Sequence, residues 1–271
     1  MKLNNNKFEF LSHDLNTTNH KLTLLKELPF FNELKSYIVS DNIVISPSTH
    51  VRDLGVIIDN KLTWNIHYNT ICKKAKQLSA WILHTFYSRD KSTMLVLFKS
   101  LIRSRLEYCS EIWNPHFMKD INFIEQIQRS FTSKIEGMKD LNYWDRLKSL
   151  GLMSLQRRRE RLILMHIWKI KNGIYPNTID LQFRFHSRTG CDKAVLKPLP
   201  KVRGRLLNSY EESFIVKSCK LWNILPGHLT KITSLSSFVV QLNLFLSNIP
   251  DKPPIPGYPY TSNNSLTEQY L

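Results

Sequence analysis

Over residues 65–173 the apolar side chains return at steps of three and four, and that period leaves a helical bundle as the economical architecture for the middle of this 271-residue chain. In residues 65–86, Ile71, Ala75, Leu78, Ile82 and Phe86 fall on one helical face, while Lys73, Lys74, Lys76 and Gln77 fall off it. Asp90 stands where it can cap a second helix, from Lys91 to about Trp113, with Met94, Leu97, Phe98, Leu101 and Ile102 inward. Lys99 and Arg103 share another face of that helix, and Asn114-Pro115 ends it. A third helix from about Asp120 carries Ile124, Ile127, Phe131 and Ile135 and stops at Gly137. A fourth covers 142–150 before Gly151, and a fifth covers 154–172 before Gly173.

The segments on either side have other periods. Residues 1–35 are Asn-rich at the start and identify no domain; 22–28 have the pattern of a short helix stopped by Pro29. Residues 36–64 turn to β, with apolar runs at 37–39, 43–45 and 51–58 separated by turn residues, which predicts a small antiparallel meander. Gly55 in this meander marks a place where another backbone or a ligand comes close. Residues 174–249 mix one or two short strands, around Phe183, Phe185, Val195 and Leu196, with two helices at 209–225 and 234–247. The Pro-rich tail, 250–271, has too little apolar surface to order and is expected to be flexible. The predicted class is mainly α, a helical bundle preceded by a small antiparallel β element.

Thirty-eight Lys and Arg against 22 Asp and Glu give a net charge of +16, so a polyanion is the first partner to consider. The charge is concentrated: residues 1–64 hold seven basic and seven acidic residues, whereas residues 65–173 hold 20 and nine. Cys72, Cys109, Cys191 and Cys219 are far apart and lack the close spacing of a zinc site, and they read as reduced thiols. The N-terminus has no apolar leader, and the longest apolar stretch, 162–168, is far too short to span a bilayer. The expectation is an intracellular protein, nuclear or cytoplasmic, with no membrane partner.

Ordered motifs then narrow the reading. Residues 51–64 contain Leu54-Gly55-Val56, and 97–110 are followed by Trp113-Asn114-Pro115. Residues 124–132 come next, then Tyr143, Arg146, Leu147, Leu150, Gly151, Leu152, Ser154 and Leu155, and the basic stretch 157–173. Leu221-Trp222-Asn223-Ile224-Leu225-Pro226 and residues 234–238 close the series. In this order, over about residues 36–246, the chain resembles the primer grip, connection and thumb of reverse transcriptases from jockey-type non-LTR retrotransposons. The resemblance implies a thumb-like bundle that clamps an RNA template and DNA primer, with Arg52, Gly55 and Trp64 near the grip. It puts Lys73, Lys74, Lys76, Lys99, Arg103, Arg157, Arg158 and Arg161 on the nucleic-acid backbone, with Arg159 pointing elsewhere. Non-specific phosphate contacts of that kind let a duplex slide.

The chemistry of the family is another matter. Nucleotidyl transfer needs clustered carboxylates to hold two Mg²⁺ ions, and this sequence has no Asp-Asp pair. The chain is therefore expected to have no catalytic residue and no cofactor of its own, Mg²⁺ belonging to the full-length parent enzyme. The partners implied are RNA/DNA hybrid or RNA, and a separate palm-containing polypeptide. The six tryptophans read mainly as core. Two alternatives stay open: a helical protein-interaction module, and a retroelement remnant without a role.

Overall fold

The computed structural model describes residues 10–11, 37–39, 43–45, 47–179, 181–185, 194–196, 213–251 and 264–269. The short helix expected at 22–28 and the thiol of Cys191 lie outside these residues. The chain divides into two compact units, residues 1–71 and 72–271.

In the first unit β1 (Phe10–Leu11) runs parallel to β4 (Pro47–Ser48), and β2 (Tyr37–Val39) pairs antiparallel with β3 (Ile43–Ile45). A second antiparallel pair joins β5 (His50–Asp53) to β6 (Val56–Asp59), with Val51 opposite Ile58 and Arg52 opposite Ile57. The expected meander is thus replaced by separate two-stranded ribbons. The β5–β6 turn has Leu54 at φ 43° and Gly55 at φ 93°, the two positive values that a tight hairpin of type I′ requires.

Helix α1 (Asn65–Thr85) begins in this unit and continues in the second, so the boundary falls inside the helix rather than before it. The hairpin holds that first stretch. Buried Asp59 accepts from the backbone N–H groups of Lys61 (3.1 Å), Thr63 (3.0 Å) and Trp64 (2.7 Å), and His67 Nδ1 accepts from the N–H of Ile57 (3.2 Å).

The second unit is helical. Asp90 caps α2 (Lys91–Leu97) by accepting from Thr93 N–H, as its position predicts. The helix widens into a π segment, Phe98–Arg103, and resumes as α3 (Ser104–Glu107). Ser100 and Ser104 donate their hydroxyls back to the carbonyls of Val96 and Ser100, competing with the regular ladder at the widened turn. Instead of running on to Trp113, the chain breaks at Cys109, φ 52°, before α4 (Ser110–Trp113). Next comes α5 (Met118–Thr132), which ends five residues short of Gly137. Helix α6 (Tyr143–Leu150) starts on an Asn142 cap and stops at left-handed Gly151, and α7 (Leu155–Lys171) starts on Ser154.

Strands β7 (Phe183–Phe185) and β8 (Ala194–Leu196) pair antiparallel, followed by α8 (Phe214–Ile224), α9 (Gly227–Thr230), α10 (Leu235–Ser247) and α11 (Leu266–Gln269). The last element corrects the expectation for the tail. Asn264 and Leu266 are buried, the second inside an apolar cluster with α7; residues 252–263 and 270–271 lie outside the described residues.

Helix α7 lies at the centre. Ile163, Leu164, Ile167 and Trp168 meet Leu196, Trp222, Leu229, Phe238, Leu242 and Leu266 in one cluster. Trp168 stacks on Phe238 at 5.3 Å between centroids, and the π segment and α5 meet through Phe98 and Phe131, also at 5.3 Å. Trp113, Trp168 and Trp222 are fully buried, in keeping with their reading as core.

Candidate nucleic-acid interface

The cations expected on the nucleic-acid backbone separate into three environments. The first is a solvated face of α1. At about 100° per residue, Lys73, Lys74, Gln77, Trp81 and His84 fall on one side of the helix, all exposed, and buried Cys72, Ala75 and Ile82 fall away from it. Trp81 is the one exposed tryptophan of the six, with 56% of its surface open. Lys76 sits at the edge of this face, its ammonium 5.4 Å from the Phe123 ring centroid. Lys99 is exposed on the π segment.

The second environment is internal, and it corrects the reading of the basic helix. Arg157 and Arg159 are buried and Arg161 nearly so, and α7 is surrounded by protein rather than presented to a duplex. A run of charge on one helix says nothing about what the other helices bring to it. Here they bring oxygen atoms. Arg157 donates to the carbonyls of Pro250 (3.3 Å) and Asn264 (3.5 Å) and lies 3.8 Å from Glu160; Arg159 donates to Asn114 Oδ1 (3.1 Å). Glu160 in turn accepts from Leu266 N–H (3.1 Å) and the Ser265 hydroxyl (2.6 Å). Burial pushes the Glu160 carboxyl up, to about 7, against the lowering effect of Ser265, Arg157 and Leu266.

Helix α7 also begins inside the protein, where its first N–H groups would lack water. Ser154 Oγ accepts from Arg157 N–H, Glu125 on α5 accepts from Leu155 N–H (3.0 Å) and Gln156 N–H (3.3 Å), and Asp251 accepts from Ser154 N–H (2.6 Å). Glu125 further accepts from the Tyr143 hydroxyl, and burial raises its pKa. This network was missed in sequence, although Glu125, Gln128 and Thr132 recur at helical spacing within the apolar stripe of α5, and all are buried.

The third environment surrounds Glu107, where buried Arg161 meets the less buried Arg103 and Arg158. Arg158 makes a bidentate pair with Glu107 (2.7 and 2.8 Å), Arg103 lies 3.6 Å from the same carboxylate, and Arg161 donates from Nε to Asn243 Oδ1 (2.7 Å).

In the first unit Arg52 is exposed on β5 and Trp64 half-buried, its N–H held by Asp59. Gly55 is accounted for by the turn, since its φ of 93° suits glycine with no approaching ligand. Among the described residues no cluster of His, Cys, Asp or Glu is fit to hold a metal ion, and no helix is long and apolar enough to cross a membrane.

No protein-family model matches the chain, and no solved structure does. The chain is similar to an uncharacterized Caenorhabditis elegans protein, 24% identical over 128 residues, which is 46% of this chain and 65% of that protein. The match therefore spans less than two thirds of the relative's length.

Proposed function

We propose that this chain is the thumb-side part of a non-LTR retrotransposon reverse transcriptase-like protein, and that it holds the backbone of RNA or an RNA/DNA hybrid without catalysing polymerisation itself. The observation that carries the reading is the α1 face that exposed Lys73 and Lys74 share with exposed Trp81, two turns further on. Cations beside an open aromatic ring suit a strand whose phosphates are neutralised while a base stacks. Lys99 and the outer parts of Arg103 and Arg158 extend the cationic surface. Arg157 has no part in it, because it is buried.

Fluorescence anisotropy with a labelled RNA/DNA hybrid, titrated at several salt concentrations, tests this. The expected result is a log–log salt slope of about −2 to −4, with affinity lowered about tenfold or more in Lys73→Gln/Lys74→Gln/Trp81→Ala. Affinity unchanged between low and moderate salt would refute the reading.

A second reading, as a protein-interaction module, is supported by exposed apolar side chains in and beside the hairpin, Leu54 at 84% and Leu62 at 52%. A binding partner captured by the native chain and lost in Leu54→Asn/Leu62→Ser, with hybrid binding absent from both, would favour it.

A further inference from the structure

The arginines around Glu107 carry more positive charge than their surroundings neutralise. Three guanidinium groups, Arg103 on the π segment and Arg158 and Arg161 on α7, gather around Glu107, the one carboxylate that faces them among the described residues. Arg158 takes both Glu107 oxygens through Nε and a terminal nitrogen, so that carboxylate is largely used. Arg103 keeps only the longer 3.6 Å approach to it. Arg161, 9% exposed, is anchored through Nε on Asn243, which orients its guanidinium, and its terminal nitrogens are bonded to no described residue. The same holds for the terminal nitrogens of Arg103.

The side chains of Arg103 and Arg158 are 18% exposed and Glu107 is 13% exposed, so the cluster is a recess rather than a solvated fringe. Burial, and then the charge of Arg158, disfavour the protonated forms of both Arg103 and Arg161, with Glu107 offsetting part of this. Like charges gathered with so little compensation are unfavourable for folding alone. An added oxyanion would remove the imbalance, and guanidinium groups held by their Nε atoms present their outer N–H groups in the fork that phosphate accepts.

We propose that Arg103, Arg158 and Arg161 form a binding site for a single phosphate group. The excess of two positive charges matches a phosphate carrying between one and two negative charges. The site does not depend on the nucleic-acid reading: the phosphate can belong to a strand or to a small molecule.

Calorimetric titration with inorganic phosphate, at ionic strength matched with chloride, is the direct test. The native chain is expected to bind phosphate saturably, and Arg103→Gln/Arg161→Gln to bind it at least about tenfold more weakly, one lost charge-assisted contact being worth about that factor. The milder pair Arg103→Lys/Arg161→Lys keeps the charge but removes the fork, and is expected to weaken binding while far-UV circular dichroism is unchanged. No saturable phosphate binding by the native chain, or binding by the Gln pair as tight as the native chain's, overturns the site. In a second arm the Gln pair is titrated with the RNA/DNA hybrid. Weaker hybrid binding with a salt slope smaller by about one assigns the phosphate to a strand; unchanged hybrid binding with lost inorganic phosphate binding assigns it to a small molecule. If the hybrid binds neither form while inorganic phosphate binds the native chain, the nucleic-acid reading fails and the site stands.

Discussion

Replacing Glu125 by Leu should unseat the start of α7, and with it the centre of the helical unit. Glu125 is 4% exposed and accepts from Leu155 N–H and Gln156 N–H on α7 and from the Tyr143 hydroxyl on α6. Leu fills the space but accepts nothing, leaving two amides and a phenol without that partner, at about 1–3 kcal/mol each. Part of that cost is recovered because a carboxylate no longer has to be desolvated, so the net loss is about 3–5 kcal/mol. Against a total stability of about 5–15 kcal/mol, this is a large fraction. Glu125→Gln is the control. With its carbonyl oxygen turned to Leu155 and Tyr143, its amide nitrogen meets the Gln156 N–H, donor against donor, and the cost is about 1–3 kcal/mol. Urea unfolding followed by circular dichroism at the helical band measures both. A loss below about 1 kcal/mol for Glu125→Leu, with Gln no different from Leu, would refute the view that Glu125 caps α7.

Glu160 and His67 should make pH-dependent contributions of opposite sense. In the second unit Glu160 has its folded pKa raised to about 7 from 4.5, so the folded state binds the proton more tightly and stability falls as pH rises from about 4.5 to about 7, by up to about 3 kcal/mol. Melting temperatures of the native chain against Glu160→Gln check this: the decline should be lost in the variant. In the first unit burial lowers His67 to about 4 from 6.5, so stability is lost as pH falls from about 6.5 to about 4, and imidazole NMR titration should place the midpoint near the lower value. Leu54→Asn should raise the stability of the hairpin by about 1 kcal/mol, because Asn tolerates the φ of 43° better than Leu does; amide exchange of β5 and β6 reads it. Phe98→Ala should cost about 3–5 kcal/mol in urea unfolding by emptying the contact with Phe131.

Much of the helical order was legible because its signals are local. Asp90 caps the helix that its position predicts, the helices expected to start at 142 and 154 begin on Asn142 and Ser154 caps, and Gly151 ends α6 with positive φ, as expected of a residue lacking Cβ. Two local signals misled. Gly137 suggested a longer third helix, but the chain leaves the helix at Thr132 and reaches Gly137 through turns. The run from Tyr37 to Ile58 suggested one meander, but two hairpins with separate partners use it, and alternation within a strand does not say which strand pairs with which.

The amino-acid sequence by itself determined the mainly helical class, the positive charge of the middle segment, the helix starts and the tryptophan core, since each depends on residues within a turn or two of one another. Only the tertiary structure decided which cations face water. The partner of Arg158 is 51 residues away and the oxygens that receive Ser154 are 97 residues away, so nothing near the arginine run could disclose that Arg157, Arg159 and Arg161 turn inward. Desolvating a guanidinium is costly unless oxygen atoms meet it. The fold brings carbonyl oxygens to Arg157 and the Asn114 side chain to Arg159, gathers Arg103 and Arg161 beside Glu107, and leaves Lys73 and Lys74 in solvent on the same helical face as Trp81.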